Sequence, residues 1–202
     1  MIVAESQVMS DPRIIIFVKA PRPGFVKTRL AATMGSENAC DAYCKLVRTL
    51  LDNLAELPHV ELRYTPYDAE SEISQWLCEG WAAVPQGEGD LGERMHRAIA
   101  EARCPAIVIG SDCPGIKMTD IRSAHEALAK HDVALGPAVD GGYWLIGLRA
   151  PCPALFNDIQ WSTNNVLDET LARSKKAGLS VYLLRELADV DTAEDWTAFK
   201  KE

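Results

Sequence analysis

The chain has 202 residues, 48% of them hydrophobic and 25% charged, with a formal net charge of −8. That length suits one domain with a sizeable core, so residues 1–202 are expected to form a single domain behind a flexible N-terminal segment, residues 1–12. The acidic balance excludes a protein of bulk nucleic acid, which carries a basic footprint, and no run is long enough to span a membrane. The opening "MIVAESQVMSDPR" has neither a basic start nor a long apolar run. No signal peptide is expected, and the chain reads as cytoplasmic.

Residues 13–19 form a continuous apolar run suited to a strand buried on both faces. A Pro/Gly loop and a helix start follow within residues 20–32. Across residues 37–57 the apolar side chains recur at helical spacing, at Ala39, Tyr43, Leu46, Val47, Leu50, Leu51 and Leu54. "VELRY" reads as a second strand, residues 69–79 as a short helix ended by Gly80, and "AAVPQ" as a brief strand. Residues 91–103 are helical, and "AIVIG" is another buried strand. Thr119 is the expected cap of a helix reaching about Lys130. "DVALGP" and "YWLIGL" are strands whose short connection through "DGG" implies antiparallel pairing. Thr163 or Asn164 opens a helix ending near Gly178, "VYLL" is a late strand, and a short helix begins after Asp191. This alternation predicts an α/β fold with a mixed, mostly parallel sheet.

The six cysteines, Cys40, Cys44, Cys78, Cys104, Cys113 and Cys152, show no C-x-x-C spacing. Neither a zinc site nor a disulfide framework is expected. In open α/β sheets, ligands bind outside the carboxyl ends of the strands. That rule gathers three loops: "KAPRPGFVKTR", "QGEGDLGER" and "GSDCPG". The first contains Ala20, Pro21, Arg22, Gly24, Lys27 and Arg29. Its Lys27-Thr28 pair is not a P-loop, because Val26 precedes the lysine and Ala20 stands where the first glycine belongs. What remains is a basic loop entering a helix, read either as an anion site or as a Pro-stiffened turn with solvated charges. Asp112 ends a buried strand, either as a ligand for a hard cation or as a cap of the turn at Pro114-Gly115. Asp140 is a second metal ligand, a general base or the start of a D-G turn. Asp189 and Asp191 share a face if their segment is extended, and Thr192 or Asp191 caps the last helix. Gly87, Gly89 and Gly92 make the "QGEGDLGER" loop flexible, and Arg94 lies in the first turn of the helix that follows, placed to meet a phosphate or a base. Cys113 is a poor nucleophile beside Asp112. Trp161, Ser162, Tyr143 and Trp144 are candidates for an acceptor pocket.

Taken together and in order, "FVKAPRPGFVKTRLA", "QGEGDLGERM", "IGSDCPGI", "LGPAVDGGYWLIGL", "IQWST" and "DVDTAEDW" resemble a bacterial family of GT-A-type glycosyltransferases, the radical-SAM/selenodomain-associated transferase 1 group. That family is in turn similar to the nucleotidyltransferases of molybdenum-cofactor and phospholactate-coenzyme biosynthesis. The resemblance covers about residues 14–196. It implies a three-layer nucleotide-diphospho-sugar transferase fold, a nucleotide or nucleotide-sugar partner, a small-molecule acceptor and a Mg²⁺ or Mn²⁺ ion. By the match, Arg22, Lys27 and Arg29 contact phosphates within the 20–29 loop, and Gln86 and Gly87 line the nucleobase pocket with Gly92 and Arg94 behind them. Asp112 matches the metal-binding aspartate and Asp191 a second acidic ligand. Catalysis is expected from Asp112, Lys27 and, as base, Asp140. Two departures stand out. Gly110 replaces the first acid of the D-x-D motif, and the first loop lacks the L-x-x-G-x-S-x-R-x-G form of sugar nucleotidyltransferases.

Overall fold

The computed structural model describes residues 11–102 and 105–201. Most of the expected N-terminal segment, together with Arg103 and Cys104, lies outside the described residues. Seven strands form one sheet: β1 (Arg13–Lys19), β2 (Val60–Thr65), β3 (Ala82–Pro85), β4 (Ala106–Gly110), β5 (Val133–Pro137), β6 (Tyr143–Leu148) and β7 (Val181–Leu183). Their order is β3-β2-β1-β4-β6-β5-β7. All neighbours run parallel except β6, which is antiparallel to both β4 and β5. The mixed, mostly parallel sheet expected from the sequence is therefore observed.

The helices are α1 (Thr28–Met34), α2 (Ser36–Leu54), α3 (Glu70–Ile73), α4 (Leu91–Glu101), α5 (Met118–Leu128), α6 (Val166–Lys176) and α7 (Ala193–Phe199). Strand side chains alternate between faces, so β1 feeds two cores at once. Ile14, Ile16 and Val18 pack with Tyr43, Val47 and Leu50 of α2 and with Ile121 and Leu128 of α5. Ile15 and Phe17 pack on the other face with Met95 and Ile99 of α4, and with Phe156. Each fully buried aliphatic side chain of this kind contributes roughly 1.5–3 kcal/mol. A small third cluster joins Leu30 of α1 and Ala39 and Ala42 of α2 to Trp196 of α7.

Three elements differ from expectation. The helix expected over residues 69–79 shrinks to α3 plus a 3₁₀ turn at Ser74–Trp76, which swings Trp76 inward to an edge-on contact with Tyr43. Lys117, not Thr119, precedes α5, because Asp120 accepts from the Lys117 backbone N–H at 2.8 Å and closes the first turn. The helix expected from Thr163 begins at Val166 instead. Thr163 Oγ1 bonds back to the Gln160 carbonyl, and Leu167 donates to the carbonyl of Gly141 at 2.9 Å. Residues 162–165 are thereby held as a loop against the β5–β6 connection. A Cβ on Gly141 would collide with the Asn164 backbone, so this packing needs a glycine there.

Candidate active site

Strand order sets the site's position. β1 has β2 on one side and β4 on the other, so the loops leaving β1 and β4 flank the point where the chain's winding reverses. The β1 loop folds on itself through the bond from Phe25 N–H to the Arg22 carbonyl, with Gly24 at positive φ. Val26 is buried and anchors the far end of the loop. Lys27 then adopts a left-handed backbone, φ 47°, immediately before α1. Non-glycine residues adopt it rarely and at a cost. That turn drives its side chain inward, to 3% exposure, and its Nζ reaches Asp112 Oδ1 at 2.7 Å and Asp191 Oδ1 at 2.8 Å.

Three chain segments meet at that ammonium. Tyr43 of α2 fixes two of them: its hydroxyl accepts from the Lys19 N–H at 2.8 Å and lies 3.1 Å from Ser111 Oγ. It thus clamps the ends of β1 and β4 beside each other. The third segment, residues 187–191, arrives extended, Leu187 bonding to Pro137 and Val139 and Val190 N–H donating to the Asp112 carbonyl at 3.1 Å. Val190 is buried, with Asp189 and Asp191 on either side of it. Thr192 and Asp195 form the capping box of α7. Asp191 is thereby released from capping and binds Lys27, with the exposed Arg29 at 3.5 Å.

The electrostatics are lopsided. Burial alone would lower the pKa of the Lys27 ammonium, but Asp112 and Asp191 outweigh it and hold the pKa above the ordinary lysine value. Asp189 has the opposite problem. Burial first, then repulsion from Asp112 and Asp140, pushes its carboxyl up to about 7, with Lys27 relieving only part of this. Cys113 is buried and its thiol is pushed up to about 12, chiefly by burial and then by Asp189, in keeping with its reading as a poor nucleophile.

The other expected residues are placed as follows. Arg22 turns away from Lys27 and is clamped by Glu72 at 2.6 Å and Asp68 at 3.1 Å. Ala20 is buried and Pro21 half-buried at the root of the loop. Gln86 is buried, its amide donating to the carbonyls of Val18 and Arg63, with Arg94 3.5 Å from its Oε1. Arg94 also donates to the Gly89 carbonyl. Gly87, at φ 79°, lies under the Arg97 guanidinium, which holds the Gln86 and Glu88 carbonyls. Gly92 is buried, and the space its Cβ would take is filled by Trp161 and the Phe156 carbonyl. Asp140 is exposed and performs the D-G turn role, its Oδ1 accepting from Gly142 N–H at 2.9 Å. Tyr43, in sequence only one apolar position of a helix, and Asp189 belong to this constellation as well.

Beside the aspartates opens a cavity of about 440 Å³. Asp112, Asp140, Asp189, Asp191 and Arg29 are among its polar lining, and Phe17, Met95, Val108, Ile146 and Trp161 among its apolar lining. Asp112 and Asp191 keep 49% and 35% of their side chains exposed. Two hard, accessible carboxylates fit a Mg²⁺ or Mn²⁺ ion completed by phosphate oxygens and water. They do not fit an ion caged by protein alone: among the described residues no group of three or more His, Cys, Asp or Glu side chains is arranged to hold one. No helix among them is long and apolar enough to cross a membrane, and the five described cysteines are free thiols.

Residues 50–163 match the model of the family described as uncharacterized protein conserved in bacteria (DUF2064), and the chain belongs to that family. A solved structure of a candidate nucleotide-diphospho-sugar transferase from Desulfovibrio desulfuricans G20 is 37% identical, covering 95% of this chain and 87% of its own, with a TM-score of 0.85. The 4-diphosphocytidyl-2C-methyl-D-erythritol synthase of Anaerococcus prevotii DSM 20548 shares the fold at a TM-score of 0.60 and 12% identity, over 95% of this chain and 97% of its own. Rv0371C of Mycobacterium tuberculosis H37Rv, solved in complex with manganese, does so at 0.54 and 14%, over 96% of this chain and all of its own (100%). None of the curated proteins compared with the chain matches it.

Proposed function

We propose that the chain is a Mg²⁺- or Mn²⁺-dependent transferase of the GT-A type, acting as one domain on a nucleotide or nucleotide-sugar donor and a small-molecule acceptor. The observation that carries this reading is the Lys27 bridge between Asp112 and Asp191, at the carboxyl ends of β1 and β4 and beside an open cavity. The similarity to the 37%-identical Desulfovibrio protein supports the sugar-nucleotide form, within the radical-SAM/selenodomain-associated group that the sequence motifs resemble.

In this reading Asp112 and Asp191 would hold the ion, which would supply positive charge against the diphosphate. Lys27 and Arg29 supply fixed positive charge to the phosphates, with backbone groups of residues 20–24 alongside. Arg22 joins them only by leaving its Glu72 clamp. The Gln86–Gly87 segment, latched by Arg94 and Arg97, receives the nucleobase. In the sugar-transfer step an acceptor hydroxyl gives its proton to Asp140 and its oxygen bonds to the anomeric carbon. The bond from that carbon to the diphosphate oxygen breaks, and the nucleoside diphosphate leaves with the bonding electrons.

The test is a thermal-shift screen of nucleoside triphosphates and nucleotide-sugars, each with and without Mg²⁺ or Mn²⁺. A ligand that binds only the native state raises the melting point by mass action. A metal-dependent rise with one nucleotide-sugar, abolished in Asp112→Asn, is the expected result. A rise with a nucleoside triphosphate alone, followed by pyrophosphate release on turnover, would assign nucleotidyl transfer instead. No shift with any donor would sink the transferase reading.

A further inference from the structure

The acceptor's chemistry is written in the cavity. The donor loops leave β1 and β3, and the strand order puts β2 and β3 on one side of β1. The cavity starts at Arg29, Asp112 and Asp191, where the donor phosphates would lie, and continues on the other side of β1, lined by β4, β6, α4 and the 161–164 loop. That far part is the space left to the second substrate. The whole cavity's volume of about 440 Å³ is within the range of small-molecule sites.

The wall and the rest of the lining differ in character. Phe17, Met95, Val108, Ile146 and the ring of Trp161 give the cavity an extended apolar wall, with Ser162, Thr163 and Asn164 among its uncharged polar side chains. The charged part of the lining carries the carboxylates of Asp112, Asp140, Asp189 and Asp191 against Arg29, already paired to Asp191, with the buried Lys27 behind Asp112 and Asp191. In the metal-free protein Asp112, Asp140 and Asp191, with Asp189 only partly charged, outweigh the two committed cations; this disfavours an anion and favours a cation, and a low-dielectric wall beside them strengthens both effects.

We propose that the acceptor is an uncharged or cationic molecule that buries an apolar, ring-sized body against Phe17, Met95 and Trp161 and turns its polar end to the aspartates. This rests on the transferase reading for the word acceptor, but the cavity's preference is a property of its residues.

Three probes with one body and three charges test it: 2-phenylethylamine, 2-phenylethanol and phenylacetate, titrated calorimetrically into the full chain at low salt without nucleotide. The amine and the alcohol are expected to bind saturably, and phenylacetate roughly tenfold or more weakly than the amine. Asp140→Asn, a change at an exposed residue, is expected to narrow the gap between amine and phenylacetate. Trp161→Ala, checked for cooperative unfolding, is expected to abolish binding of all three. Phenylacetate binding as tightly as the amine, an unchanged gap in Asp140→Asn, or no saturable binding by any probe would overturn the proposal. The same preparation is screened with nucleotide and Mn²⁺. Binding of nucleotide but not of the probes overturns the acceptor class alone, and binding of the probes but of no nucleotide overturns the transferase reading alone.

Discussion

Lys27 and Arg63 are both cations whose side chains are almost closed to solvent, 3% and 4% exposed, and each sits between two carboxylates. Their surroundings make them opposites. Arg63 belongs to the body of β2, where its guanidinium holds Glu61 at 2.8 Å and Glu101 at 2.6 Å while its carbonyl accepts from Gln86. Every charge there has a partner, and the cluster braces the floor under the Gln86 loop. Lys27 stands at a strand end, on a strained backbone, beside a cavity and next to Asp189, a carboxylate that burial and its neighbours hold near neutrality. A buried ion pair is therefore weak evidence of function. An excess of carboxylate beside open space, which a cation would relieve, is stronger evidence.

The largest expected effect separates the two as structure. Arg63→Met leaves the mostly covered Glu61 with only Arg13, at 3.7 Å, and is expected to cost about 2 kcal/mol in urea denaturation, with Mn²⁺ binding unchanged. Lys27→Met should cost clearly less, because Asp112 and Asp191 are partly solvated. Equal losses would erase the distinction.

Next is the pH response of Asp189. Its folded pKa, about 7, is above the ordinary value of 3.8, so folding disfavours its charged form. The resulting destabilisation is absent below the unfolded pKa, grows as pH rises between the two values and is complete above the folded one. In metal-free buffer, Asp189→Asn is expected to raise the unfolding midpoint near pH 8 and to leave it unchanged near pH 4. A rise of the same size at both pH values would mean that the gain is packing and not charge.

A smaller effect sharpens the electrostatic side. Lys27→Met should tighten Mn²⁺ binding in the absence of nucleotide by about tenfold, read by paramagnetic resonance, because a neighbouring positive charge is gone. Weaker binding would show that Lys27 chiefly organises the two carboxylates. The smallest effect belongs to Arg29→Ala. At 70% exposure and 3.5 Å from Asp191, Arg29 should contribute no more than about 0.5 kcal/mol to stability.

Much of the site was legible before the fold. Residues 13–19 and "AIVIG" are apolar on both faces, which only buried parallel strands need, and the sheet rule then puts their loops at one edge. Asp112, Lys27 and Asp191 are singled out on that basis and on the family motifs, and Lys27 stands within hydrogen-bond reach of both aspartates. Arg22 shows the limit. Its place in the loop is visible in sequence, but its engagement by Glu72 and Asp68 depends on α3, some fifty residues away. Gly92 reads as loop flexibility, yet its space is taken by Trp161. Tyr43 reads as one more helix-face apolar residue, because nothing local shows that its hydroxyl meets Lys19 and Ser111.

The sequence by itself determined most of the elements and the mixed sheet, since periodicity and glycine placement are local properties of the chain. Only the tertiary structure decided which charges are satisfied and which are left in excess. That balance depends on the extended 187–191 segment coming back beside Asp112, and on how deeply each side chain is taken out of water. No neighbour in sequence encodes either.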